Sequence, residues 1–243
     1  MSASEYLKMK ALPLVKRLGD TALDLVFPKS CLGCGREGDF LCSSCRRLLV
    51  VVAPPLCPKC GRTQVSGVVC PSCVSWDSSI DGIRAPYRFE GLIRQAIHQL
   101  KYRNLRSLAK PLAALMMEYL MTHHLPADVL IPVPLHPRRL RERGYNQSAL
   151  LAKELGKLSS IRVIENALIR HKYALPQART LSVEERRANM VGAFMCRAEF
   201  IRNRQVLLID DVSTSAATLD ACAAALKQGG ANTVWGLVIA REL

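Results

Sequence analysis

Eight of the ten cysteines form four Cys-x-x-Cys pairs: Cys31/Cys34, Cys42/Cys45, Cys57/Cys60 and Cys70/Cys73. Two residues between thiols let both sulfurs face one ion, and tetrahedral Zn²⁺ takes four thiolates, so eight ligands make two sites. The spacing expects sequential pairing, Cys31/Cys34/Cys42/Cys45 and then Cys57/Cys60/Cys70/Cys73, and leaves an interleaved arrangement open. Closed thiolate spheres have no open position for chemistry, so both sites read as structural. Redox-active pairs are the alternative, but no thioredoxin-like βαβ pattern surrounds these cysteines. Gly35 and Gly61 directly follow the second Cys of their pairs, where a tight turn needs positive φ. Cys196 and Cys222 lie outside the array and read as buried apolar residues.

A second stretch with chemical content is Val206–Leu219, Val-Leu-Leu-Ile-Asp-Asp-Val-Ser-Thr-Ser-Ala-Ala-Thr-Leu. Four apolar residues run into two carboxylates, Asp210 and Asp211. Hydroxyl and small residues follow (Ser213, Thr214, Ser215, Ala216, Ala217, Thr218), then an Ala-rich helix pattern over 219–227 closed by Gly229 and Gly230. The apolar run predicts a central parallel strand, buried on both faces. Ligands of open α/β sheets bind at the carboxyl ends of such strands. The first turn of the following helix favours phosphate, and the hydroxyls add donors. The Asp pair repels phosphate but can accept from two vicinal hydroxyls or hold Mg²⁺. Phosphate cradle and diol acceptor together describe a ribose 5-phosphate site.

The third stretch is an arginine-rich run. An apolar strand over 128–134 leads into Leu-His-Pro-Arg-Arg-Leu-Arg-Glu-Arg-Gly-Tyr-Asn-Gln, residues 135–147. On a helix this would be a solvated charge run. In a Pro-punctuated loop at a strand end, Arg138, Arg139, Arg141 and Arg143 read as an anion clamp, because Arg forks match phosphate oxygens.

The elements that position these groups follow from periodicity. Residues 4–27 predict a basic amphipathic helix, which packs on the metal module or lies on a membrane surface. Pro54-Pro55 separates the two ribbons. Residues 83–89 predict a strand, on an edge because of Pro86. Helices are expected over 91–100, 108–122 and 145–157. Between the first two, Lys101, Tyr102, Arg103 and Arg106 read as a basic, partly aromatic loop. A short strand is expected at 168–171, a flexible loop at 172–182 and a last parallel strand at 233–240. Alternating strands and helices give an α/β fold, a doubly wound mostly parallel sheet, with an N-terminal four-cysteine zinc-ribbon module. The expected division is 1–27, 28–79 and 80–243.

Composition narrows the partners. The chain has 243 residues, 49% of them hydrophobic, and a formal net charge of +14. That excess favours polyanions: nucleic acid, anionic lipid or phosphorylated small molecules. Aromatics are only 5%, which argues against an extensive base-stacking platform. No apolar run reaches the ~18 residues of a membrane span. With no signal-peptide pattern, the paired cysteines fit a reducing cytoplasm, the expected location.

The Val206–Thr218 stretch resembles the phosphoribosyl-pyrophosphate (PRPP) signature of type I phosphoribosyltransferases. That resemblance assigns Asp210 and Asp211 to the ribose hydroxyls and residues 214–218 to the 5-phosphate. It implies Mg²⁺ carried with PRPP and a mobile loop, here 172–182, closing over the pyrophosphate. Arg138 and Arg139 are candidate ligand contacts. So are Arg179, Arg186 and Arg187, with helix-surface charge as their alternative role. Ala216 stands where the signature usually has Gly, so its methyl group crowds the place where phosphate is held.

Pro-Val-Pro-Leu-His-Pro-Arg-Arg-Leu-Arg-Glu-Arg-Gly-Tyr-Asn-Gln downstream of Cys knuckles, with Gln177, Leu181, Arg187, Asn189, Ala193 and Phe194, resembles the ComF family of competence-associated proteins. The resemblance spans nearly the whole chain. It implies a double zinc ribbon joined to a phosphoribosyltransferase-like domain, and a role in uptake or handling of single-stranded DNA in natural transformation. DNA-uptake machinery proteins become expected partners. Three readings follow: a DNA-handling protein with a PRPP-type ligand site; a working phosphoribosyltransferase using Asp210, Asp211, Arg143 and Arg187 on an unknown acceptor; or the same fold with its chemistry lost, which Ala216 motivates.

Overall fold

The structure is a computed structural model that describes residues 29–172 and 182–242. The helix expected over 4–27, most of the 172–182 loop and Arg179 lie outside the described residues. The chain divides into two compact units, one ending at Leu48 and one from Leu49 to Leu243.

In the first unit, Cys31/Cys34 and Cys42/Cys45 come together around a short helix, α1 (Ser43–Arg46). Cys42 N donates to Cys31 Sγ at 3.4 Å, and Gly35 takes φ +74° to close the turn.

The second unit repeats this knuckle and adds the sheet. Cys70 N donates to Cys57 Sγ at 3.4 Å, Gly61 takes φ +72°, and α2 (Pro71–Val74) carries Cys73. The strands are β1 (Gly82–Arg84), β2 (Tyr87–Arg88), β3 (Val129–Pro132), β4 (Arg162–Val163), β7 (Gln205–Ser213) and β8 (Thr233–Arg241). Their order is β1-β8-β7-β3-β4, with β2 continuing β1 along β8 beyond Pro86. Every pairing in this sheet is parallel. The pair β5 (Leu168–Arg170) and β6 (Phe194–Cys196) forms a separate antiparallel ribbon, so the short strand at 168 is real but outside the main sheet.

Between these strands run α3 (Gly91–Tyr102), α4 (Ala109–Thr122), α5 (Pro137–Arg143), α6 (Gln147–Ser159), α7 (Val183–Met190) and α8 (Ala217–Gln228). Helices α4 and α6 pack together over β3, β7 and β8, while α8 packs with α7 and the β5–β6 ribbon. Val206 and Leu208 of β7 share a core with Leu219, Cys222 and Leu226 of α8. The alternate Leu207 and Ile209, also fully buried, point to the other face. Burial on both faces explains the unbroken apolar run.

Two expectations change. Residues 137–143 are helical, because Pro137 sits at the first turn, His136 Nδ1 accepts from Arg138 N, and Gly144 at φ +77° ends the turn. Lys101 and Tyr102 belong to the last turn of α3.

The chain moves from β3 to β4 in one direction and from β7 to β8 in the other. The strand order therefore reverses between β3 and β7, where a doubly wound sheet opens a crevice at its carboxyl ends.

Candidate functional site

Strand β7 runs on through both carboxylates to Ser213, four residues beyond Ile209, with Asp210 opposite Val238 and Ser213 opposite Arg241. The acid pair is thus held inside the sheet's carboxyl end. Asp210 is 9% exposed and Asp211 2%.

Each carboxylate has its own partners. Asp210 Oδ1 accepts from Ser148 Oγ at 2.7 Å and from Asp211 N at 2.9 Å. Asp211 Oδ1 accepts from Val212 N at 2.9 Å, and its Oδ2 lies 2.7 Å from Lys101 Nζ. Burial, and then the neighbouring Asp211 charge, push Asp210 up to about 7, against the opposing effects of Lys101 and Ser148. Burial works against the Lys101 charge as well, but Asp211 outweighs it and holds the ammonium above its ordinary pKa. One proton-holding acid beside one ion-paired carboxylate is how like charges share a buried site.

Lys101 and Ser148 are functional candidates that the sequence reading did not assign. Ser148 is placed by the start of α6: Asn146 Oδ1 caps Ser148 N at 3.0 Å, and Asn146 Nδ2 donates to Val133 O at 2.9 Å, just beyond β3. Tyr145 is buried and its hydroxyl donates to Leu100 O, next to Lys101. Gly-Tyr-Asn-Gln is thus a bracket joining α3, β3 and α6 around the acid pair. A capping Asn two residues before Ser148 was the available signal.

After β7, residues 214–216 turn into α8. Ser213 and Ser215 are buried and Thr214 is exposed. Ala216 adopts φ +64°, ψ −1° at the N-cap and offers no side-chain cap. Left-handed backbone is costly for a side chain bearing Cβ. The first amides of α8, with Thr218 in its first turn, therefore remain available to an anion.

The arginines are divided. Arg143 donates to Gln147 Oε1, and its guanidinium lies 5.3 Å from the Tyr102 ring, near Lys101 in sequence. Arg138 Nε pairs with Glu142 at 3.1 Å on the exposed face of α5, like an ordinary i,i+4 pair. Arg139 lies close enough to the buried Arg170 to help hold that guanidinium's pKa down, after burial itself. Arg187's side chain lies outside the described residues.

Both metal clusters pair sequentially, with ligand atoms within 4.8 Å of one another. Cys34 and Cys42 sulfurs, and those of Cys60 and Cys70, are 3.7 Å apart. Tetrahedral Zn²⁺ with Zn–S of ~2.3 Å needs sulfurs about 3.8 Å apart, so the two sites fit structural zinc. Burial raises the thiols of Cys31 and Cys57, but backbone N–H donors outweigh it and bring both down to about 6. Among the described residues no helix is long and apolar enough to cross a membrane.

A family model described as a double zinc ribbon domain matches residues 22–74. The chain is 32% identical to competence protein F of Haemophilus influenzae over 208 residues, covering 81% of this chain and 89% of that protein. It is 28% identical to competence protein ComFC of Bacillus subtilis, covering 78% and 79%. It is 30% identical to the DNA utilization protein YhgH of Escherichia coli, covering 84% and 91%. Among solved structures, glutamine PRPP amidotransferase from B. subtilis overlaps it with a TM-score of 0.37 at 16% identity. That overlap covers 53% of this chain and 26% of the enzyme, so the chain spans about a quarter of the enzyme's length.

Proposed function

The chain belongs to the ComF family, and on that premise we propose that it handles single-stranded DNA in natural transformation while holding a ribose 5-phosphate or PRPP ligand at the carboxyl end of β7. The observation that carries this reading is the Asp210–Asp211 pair at the strand-order reversal, backed by Ser148 and Lys101 and followed directly by the left-handed turn into α8.

In this reading Asp210 and the Lys101-paired Asp211 accept from the two vicinal ribose hydroxyls. Ser213, Thr214, Ser215, Thr218 and the amides of residues 216–218 bind the 5-phosphate. Arg143, with Arg138 and Arg139 on the same helix, supplies positive charge to the pyrophosphate. The carboxylate oxygens are hard donors that suit Mg²⁺, but Lys101 already gives Asp211 a cation. We therefore assign Mg²⁺ to the pyrophosphate, where it neutralises charge on the leaving group. The excess of basic residues suits a DNA strand, and a reducing cytoplasm suits the thiolate sites. DNA-uptake proteins are the expected partners, and a peripheral contact with an anionic membrane is compatible with the charge.

A working phosphoribosyltransferase is the second reading, favoured by retention of both acids with intact hydrogen bonding. The ribose would be held by Asp210 and Asp211 while Arg143 and Arg187 stabilise pyrophosphate as it leaves the anomeric carbon. Asp211→Asn is then expected to abolish pyrophosphate release; turnover that survives it excludes this reading.

The deciding experiment is calorimetric titration of PRPP, with and without Mg²⁺, into wild type and Asp211→Asn. Micromolar binding, about −8 kcal/mol, that is lost in Asp211→Asn supports the ligand site. Equal titrations in the two proteins overturn it.

A further inference from the structure

A cavity of about 300 Å³ lies apart from the acid pair, between the second zinc ribbon and the turn after β7. Its walls include Arg62, Ser72 and Ser75 from the ribbon, Ser215 and Ala216 from the turn, and Arg241 from the end of β8. The volume is at the lower end of the ~300–1,000 Å³ of small-ligand pockets.

Two arginines line this cavity, and each has a side-chain donor without a partner. Arg241 is 1% exposed; its Nη1 donates to Ser213 Oγ at 3.3 Å, and its Nε is buried without a partner. The Nε of Arg62 is likewise buried without a partner. Leaving a buried donor unpaired is costly, and more so when it is charged. Burial holds the Arg241 guanidinium below its ordinary pKa and the Arg62 charge adds to this, against the opposing effect of the Cys60, Cys73 and Cys70 sulfurs, and no hydrogen bond to sulfur ties either guanidinium among the described residues. The uncapped start of the 12-residue α8 opens on the same space through Ser215 and Ala216.

We propose that this cavity binds a phosphate dianion, with Arg241 and Arg62 as its charged ligands and Ser215 and the first α8 amides as its neutral donors. The second ribbon is then a wall of the phosphate site as well as a folding staple. This extends, and rests on, the reading of the turn after β7 as a phosphate cradle. Because one wall is folded by zinc, binding is linked to metal: phosphate retards zinc loss, and zinc loss weakens phosphate.

The test titrates the full chain with inorganic phosphate and with ribose 5-phosphate, in wild type, Arg241→Gln, Arg62→Gln and Asp211→Asn. Zinc content, and zinc release to a chelator with and without phosphate, are measured for each. The proposal expects both arginine variants to weaken both ligands tenfold or more, and phosphate to slow zinc release from wild type. Asp211→Asn should weaken only ribose 5-phosphate. If Arg241→Gln loses zinc on its own, Arg241→Lys and the partly exposed Arg62→Gln carry the test. Arginine variants that bind inorganic phosphate like wild type overturn the proposal, including variants that only shed zinc faster, since the arginines would then merely balance thiolate charge. Wild type that ignores inorganic phosphate overturns it too. The ribose reading fails separately, if ribose 5-phosphate binds no tighter than inorganic phosphate and Asp211→Asn changes neither.

Discussion

Asp210, near the end of β7, and Ala216, in the turn that follows it, are each held in a state they would not choose in water. Asp210 is raised to about 7 mainly by burial, against ~3.9 unfolded. The folded state thus binds the proton more tightly, so this group's contribution to stability is full below about pH 4 and is lost as pH rises toward 7. Asp210→Asn should therefore stabilise the protein by about 2–4 kcal/mol at pH 8 and clearly less at pH 5. Denaturant unfolding at the two pH values checks this, and an equal gain at both would contradict it. Ala216 at φ +64° stores strain of about 1 kcal/mol. Ala216→Gly should raise the melting temperature by a few degrees and tighten phosphate binding by opening the cradle; unchanged affinity would remove Ala216 as a sign of lost chemistry. The acid pair and the turn were readable from the sequence because they are contiguous. Lys101 and Ser148 were not, because they reach the carboxylates from α3 and α6, and a Lys or Ser there looks the same as one facing solvent.

At the scale of elements, the second ribbon is fastened to the sheet edge by backbone. Ile83 N donates to Lys59 O at 2.8 Å, and Arg84 Nη1 donates to Pro58 O at 3.0 Å. A Cβ on Gly61 would lie 2.3 Å from Ile83 O, at a φ of +72°. Gly61→Ala should therefore cost about 2–4 kcal/mol and lower zinc content toward one ion per chain. Retention of both ions with an unchanged unfolding midpoint would refute this. Most helices and strands were legible from apolar periodicity. The arginine run was not: strong local helix signals (His136, Pro137 and Gly144) occupy a segment too short for a periodic pattern.

Across the whole molecule, the second zinc site shares one core with the sheet. Cys57, Cys60, Cys70 and Cys73 pack in the same cluster as Ile83, Val206, Val234 and Leu219. Cys60→Ser should thus lower the thermal transition of the sheet itself. Cys34→Ser, in the unit ending at Leu48, should leave that transition in place. Calorimetry of both variants distinguishes them, and equal shifts would refute the division. The formal charge of +14 bears on DNA at the same scale. Affinity for single-stranded DNA should fall linearly in log–log form with salt, at ~0.7 per phosphate neutralised; salt-independent binding would exclude a backbone-led contact.

The sequence by itself determined the zinc ligands, the central strand with its acid pair, the parallel α/β class and the family. All of these are written in short-range spacing, where neighbours along the chain are neighbours in space. Only the tertiary structure decided that the thiols pair sequentially, that Lys101 and Ser148 divide the acid pair between them, and that Arg62 and Arg241 converge on one cavity. Those outcomes depend on which residues a crossover or a sheet edge brings within a few ångströms, and local sequence carries no record of that distance.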